Sequence, residues 1–276
     1  LRILIRTSKW AIRARRLASL SLPLIVIPVL LHRQGLIESN TFHVMLWVAF
    51  AVVVATLACA LIALVRLWFT GDRGWDRAIV GLVAGLVCLA PFAWAGAMAS
   101  RYPAATDIAT ADRQRLPLVL DGATATMSPP LVPNAAALEA TFPNAKTRTY
   151  PLTAQQVFDV AMRLVEDRGW DLQAQTRPPA PGAEGRINAR VTTLFGWRDD
   201  VVIALAGDPE GARVDMRSAS LAGRHDLGAN GQRVEEFLGA MDAEVTALLR
   251  DNPNIGQPII EPPAEAGDAE EVAPGQ

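Results

Sequence analysis

The sequence predicts an α+β protein on a membrane anchor. Three N-terminal transmembrane helices lead into a periplasmic antiparallel sheet of 4–5 strands, packed against two helices in a helix-grip-like arrangement. Three observations predict it. Uncharged apolar runs fall within the first 100 residues, the two parts of the chain carry opposite charge, and period-two alternation between residues 186 and 217 lies between two helix-period patterns.

Residues 1–100 hold ten basic and three acidic residues, whereas residues 101–276 hold sixteen and twenty-five, so a +7 part precedes a −9 part. Such asymmetry marks two environments, and the acidic second part lacks the basic patch that a nucleic acid would require. The spans are read at about residues 17–31, 44–65 and 78–100, together the membrane region 17–100. Val44–Val65 and Ala78–Ser100 run twenty-two and twenty-three residues without a charge, enough for a bilayer crossing. Leu17–Leu31 is shorter and holds Pro23 and Pro28, which reads as a kinked first span or a re-entrant segment. Residues 1–16 mix Trp10 and aliphatics with Arg and Lys, as in a basic helix lying on a membrane surface.

Six basic residues precede the first span, Arg33 stands alone in the next loop, and Arg66, Arg73 and Arg77 occupy the loop after it. The positive-inside rule then puts the N-terminus in the cytoplasm and residues 101–276 in the periplasm, the chain sitting in a bacterial inner membrane. Trp47, Trp68, Trp75 and Trp94 suit aromatic anchoring at span ends, and His32 and His43 read as solvated residues at the interface. Gly81, Ala84 and Gly85 allow close helix packing, against neighbouring spans or another protein. Cys59 and Cys88 fall inside spans as packing residues, and no CxxC zinc site is present.

Residues 101–146, rich in Pro, Ala and Thr, read as a periplasmic connector with a short helix at Ala135–Ala140. The α+β domain is read over 147–252. Thr153 and Gln156 form a capping box that opens a helix ending at Gly169, with Val157, Phe158, Ala161, Leu164 and Val165 on one side. Trp170–Thr176 reads as a strand, and Arg177–Glu184 as a loop. Ile187, Ala189, Val191, Thr193 and Phe195 alternate with polar residues, Val201, Ile203 and Leu205 with smaller ones, and Val214 and Met216 again with polar ones. Asp208-Pro209-Glu210-Gly211 makes the turn between the last two strands. Val234, Phe237, Leu238, Met241, Val245, Leu248 and Leu249 form the stripe of a closing helix that must cover the sheet. Residues 253–276 form an acidic Pro/Ala-rich tail.

The stretch RSASLAGRHDLGAN, residues 217–230, gathers the side chains of a hydrolase triad. A nucleophilic serine needs a base within hydrogen-bond reach and an orienting group behind that base. Ser218 and Ser220 continue the buried register of Met216, His225 and Asp226 diverge as neighbours do, and no G-x-S-x-G elbow is present. The stretch therefore reads as a strand end, a glycine-bearing turn, and a helix start capped by Asp226 or Asn230. Asp199 and Asp200 face opposite ways on a strand, so one is expected to pair with an arginine such as Arg190, Arg217 or Arg224 and the other to sit in the turn. Arg217, Ser218, Ser220, Asp226, Asn230, Asp199 and Asp200 remain as a polar rim for a ligand or partner, with neither catalytic residues nor a metal or cofactor assigned.

Gly71-Asp72-Arg73-Gly74, Asp107-Ile108-Ala109-Thr110, Asp199-Asp200-Val201-Val202-Ile203 and the 217–230 stretch together resemble a bacterial membrane-anchored family catalogued as domain of unknown function 1499. The resemblance runs from about residue 66 to 250. It departs at Leu221, where the family has arginine, and at Ala109 and Ala111, with Asp112 one place beyond the family's acid. It implies this architecture and no activity. The leading functional expectation is a non-enzymatic periplasmic interaction protein, an accessory subunit of a larger membrane complex. Besides the lipid bilayer, it would meet a membrane-protein partner through the third span, connector or tail. The alternative is a module holding a lipid or small apolar ligand between sheet and C-terminal helix; a serine hydrolase is a remote third.

Overall fold

The computed structural model describes residues 6–180, 182–252 and 255. Three long helices come first: α1 (Lys9–Arg33), α2 (Ser39–Thr70) and α3 (Trp75–Arg101). The shortest has 25 residues. At about 1.5 Å per residue it outruns the roughly 30 Å hydrocarbon core of a bilayer. α1 runs through Pro23 and Pro28 and begins at Lys9, so part of the expected interfacial segment is simply its first two turns. Before it, Ser8 N–H donates to Arg73 O and Arg73 N–H donates to Arg6 O, both at 3.0 Å. The start of the chain and the α2–α3 turn thus share one end of the bundle.

Small residues line the helix contacts: Ala11, Ala14 and Ala18 on α1, Ala49, Ala60 and Ala63 on α2, Ala78, Gly81 and Gly85 on α3. A Cβ on Gly81 would sit 2.8 Å from the Ala14 Cβ, and one on Gly85 would sit 2.7 Å from Leu57 Cδ2. Lipid tails offer no hydrophobic gain for helix association, so close backbone approach and dispersion must supply it. The small-residue positions expected to serve either neighbours or another protein are taken up by the chain's own helices.

The second part contains β1 (Asp107–Ala109), α4 (Gly122–Ala125), α5 (Ala135–Thr141), β2 (Arg148–Tyr150), α6 (Ala154–Asp167), β3 (Asp171–Thr176), β4 (Gly185–Thr192), β5 (Arg198–Asp208), β6 (Gly211–Ser220) and α7 (Ala229–Asp251). All pairings are antiparallel, in the order β3-β4-β5-β6. β1 and β2 lie in succession along the outer edge of β6, opposite residues 217–219 and 212–214. The sheet therefore has six strands. β2 opens the domain read over 147–252, and β1 comes from the stretch read as a connector.

α6 and α7 pack on one face. The Thr153–Gln156 capping box forms and starts α6. Val234, Phe237, Leu238 and Met241 of α7 are wholly buried against Ile187, Ile203, Val214 and Met216. Each such side chain contributes about 1.5–3 kcal/mol on leaving water. Side chains thus fill the space between sheet and α7 where the alternative reading put a lipid or small apolar ligand. The other face is covered by the chain following β1, with Ala109, Leu116 and Val202 in one cluster and Ala111 beside it. The two alanines that depart from the family pattern are apolar contacts there.

The domain is seated directly on the anchor. β4 ends at Thr192, so Phe195 does not extend the alternation but lies in the β4–β5 turn. Its carbonyl oxygen is 2.8 Å from His32 Nδ1, and Arg33 donates to Leu194 O at 3.1 Å. A carbonyl can only accept, so Nδ1 carries the proton and Nε2 accepts from Ser39 Oγ at 3.0 Å. His32 is buried and stacks on Phe42 at 4.3 Å, which corrects its reading as a solvated residue. Trp197 meets the rings of Phe42 at 5.6 Å and His43 at 5.9 Å. Gly196 (φ 90°) closes the turn, and a Cβ there would come 2.6 Å from Arg33 Cα.

Gly81→Val should lower the thermal stability of the anchor in detergent by about 1–3 kcal/mol, the usual cost of overpacking. Circular dichroism melting of the full chain measures this, and an unchanged transition would contradict the packing.

Candidate functional site

The end of β6, the start of β5 and the first turn of α7 converge on Asn230, which is fully buried. Asn230 Oδ1 accepts from Ser218 Oγ at 2.7 Å and from Arg233 at 2.8 Å. Its Nδ2 donates to Ser220 Oγ at 2.9 Å and to Thr106 O at 3.3 Å. Arg233 also donates to Ser218 Oγ at 2.7 Å and to Asp199 Oδ2 at 2.7 Å. Strand register explains the grouping: Asp199 lies opposite Ser220, and Val201 opposite Ser218, so all four face α7. Asp226 accepts from Gly228 N–H at 2.9 Å and Asn230 N–H at 3.0 Å, tying down the helix start. Burial pushes its carboxyl above the ordinary range, against the pull of those N–H groups.

Ser218 has no base. Its hydroxyl donates to an amide oxygen, which is not basic, and accepts from a guanidinium, which has no proton-accepting lone pair. His225 Nδ1 accepts from Leu227 N–H at 2.9 Å, which leaves the ring proton on Nε2. The arrangement is a closed hydrogen-bond network rather than a nucleophile with its activator.

The other two rim residues fall on the opposite face, because neighbours on a strand alternate. Arg217 grips Asp107 with two bonds at 3.1 and 2.8 Å and donates to Leu116 O at 2.9 Å; Arg113 adds a second cation at 3.0 Å. Asp200 pairs with Arg190 at 2.7 Å, as one of the sequence-level options had it, and Arg190 reaches on to Asp121 at 2.9 Å. The Thr124 N–H, with Arg190 beside it, holds the Asp121 carboxyl at about 2. These pairs fasten the 107–121 stretch across the sheet. The expected rim is thus two sites back to back: Asp199, Ser218, Ser220, Asp226 and Asn230 together, Asp200 and Arg217 apart.

Beside the first group lies a recess of about 210 Å³, walled by Asp199, Ser220 and Asp226, by Thr193 and Trp197 of the β4–β5 turn, and by His43 of α2. Arg224 and His225 complete it. Below it, an apolar slot of about 70 Å³ opens between Ile25, Val29, Leu46 and Phe92 of the anchor, and Trp197 and Leu227 border both spaces. A wider groove of about 530 Å³ runs on the other side of the Ala222–Gly223 loop, but only Leu221–Gly223 of the motif touch it. Sequence reasoning missed Arg233, Thr193, Trp197 and the part played by His43. Arg233 had a signal, being three residues after Asn230 and so on the same helix face; the others are brought in by tertiary contacts.

Arg233→Leu should destabilise the full chain by about 3–5 kcal/mol, because it leaves Asp199 buried without a counter-charge. Ser218→Ala, which leaves Asn230 Oδ1 its arginine donor, should cost less. Denaturant unfolding in micelles ranks the two, and equal losses would contradict the charge-centred account.

No curated protein matches the chain. Residues 122–241, from α4 to the middle of α7, match the family model described as "Protein of unknown function (DUF1499)".

Proposed function

We propose that the chain is a membrane-anchored, non-catalytic binding module whose site is the recess between the anchor and the start of α7. One observation carries the reading: His43 of the anchor and Asp199, Ser220 and Asp226 of the motif region wall the same space of about 210 Å³. Ligand sites favour concave junctions between structural units with a few converging polar groups. The orientation that fits has the N-terminus in the cytoplasm and residues 101–276 in the periplasm of a bacterial inner membrane. It is supported by Arg6, Lys9, Arg13, Arg15 and Arg16 around the start of α1 and by Arg66, Arg73 and Arg77 around the α2–α3 turn, against Arg33 and Arg101 at the opposite end.

A second reading, the accessory subunit of a larger complex, is favoured by Leu120 and Val132, which are exposed on the stretch between anchor and domain. Pull-down after mild extraction distinguishes the two, since a monodisperse chain with no accompanying protein would count against the accessory role. For the binding module, native mass spectrometry of the full chain from mild detergent should show a retained small molecule. Ala222→Trp, which fills the recess from its loop wall, should lose that molecule with little change in melting temperature. The same adduct on both proteins would refute the site. No labelling by a fluorophosphonate probe is expected at Ser218 or Ser220.

A further inference from the structure

We infer that the recess binds the phosphate of a membrane lipid, with an acyl chain of that lipid lying in the apolar slot below. This rests on the binding-module reading above and adds the class of ligand. Of the acceptors in the wall, Asp199 Oδ2 is engaged by Arg233, and both oxygens of Asp226 by backbone N–H groups. Donors are left over. Arg224 is exposed and has no carboxylate partner among the described residues. The His225 ring proton stays on Nε2, because Nδ1 is occupied by Leu227 N–H. The Thr193 hydroxyl is buried without a hydrogen-bond partner. A guanidinium and an imidazole N–H on the wall of one space call for a ligand rich in acceptors and negatively charged, and phosphate is the group that such donors recognise best.

The slot adjoining the recess is apolar. It is lined by apolar side chains of all three anchor helices, Ile25, Leu46 and Phe92 among them, and shares Trp197 and Leu227 with the recess. A soluble phosphate would have no use for it. An amphiphile entering from the bilayer would fill both spaces, polar end up and chain down. Leu227 at the shared wall has φ 55°, a left-handed conformation that a leucine adopts only under constraint. It sets an apolar side chain between the polar recess and the slot.

The test uses the full chain in detergent micelles, with native mass spectrometry counting retained molecules. Three probes are compared: dioctanoyl phosphatidic acid, the matching diacylglycerol without phosphate, and glycerol phosphate without chains. Phosphatidic acid should be retained at least about tenfold better than either truncated probe. Arg224→Gln, at an exposed position that carries no fold contact, should weaken phosphatidic acid about tenfold and leave diacylglycerol unchanged, as expected for loss of a charge-assisted contact. Ala95→Phe, which fills the slot, should weaken phosphatidic acid and leave glycerol phosphate unchanged. Equal retention of phosphatidic acid and diacylglycerol would overturn the phosphate assignment while leaving a binding module. Glycerol phosphate as strong as phosphatidic acid would overturn the lipid. Retention of no probe, with no native adduct either, would overturn the binding module as well.

Discussion

The amide of Asn230 has more depending on it than any other polar group in the domain. Buried where β6 ends and α7 begins, it takes part in four side-chain hydrogen bonds, to Ser218, Ser220, Arg233 and the carbonyl of Thr106. A buried polar group left unpaired costs on the order of 1–3 kcal/mol, so each partner must stay where the amide requires it. That holds the first turn of α7 to the strand and to the chain entering β1. Through Arg233 the constraint passes to Asp199 and so to β5. The position of the recess follows from the same set of bonds, because Asp199, Ser220 and Asp226 are its inner wall.

The sheet carries different chemistry on its two faces. Toward the helices it is apolar except at the Asn230 end. Toward the 107–121 stretch it is crossed by ion pairs, Asp107 with Arg217 and Asp200 with Arg190. Both are largely shielded from water, and pairs of this kind bring little net stability but a large penalty for any misplacement. They serve to select one path for a stretch of chain that has few apolar residues with which to find its place.

Much of this was legible. Length and lack of charge marked the spans, alternation marked β4, β5 and β6, and Thr153 with Gln156 marked the start of α6. What escaped has physical causes. A strand of three residues such as β1 cannot display a period, and its attachment depends on Asp107 finding Arg217 across 110 positions of sequence. Phe195 kept the apolar rhythm of β4 past the point where the strand stops, because it packs against the anchor near Trp94 instead of the sheet core. His32 looked solvated because its partners, Phe42 and the carbonyl of Phe195, come from separate parts of the chain. The seven rim residues were singled out as polar, yet only geometry divides them into a network beside a recess and a set of ion pairs on the far face.

The absence of a side chain at Gly196 has a consequence for reach. With the β4–β5 turn pressed against the backbone of Arg33, the domain does not swing on a leash through a volume set by linker length. It stands as a fixed cap over one end of the helical bundle. A tethered domain searches for its ligand and dilutes itself in doing so, whereas a cap waits at one depth. Whatever it meets must arrive along the plane of the bilayer or pass close to its surface.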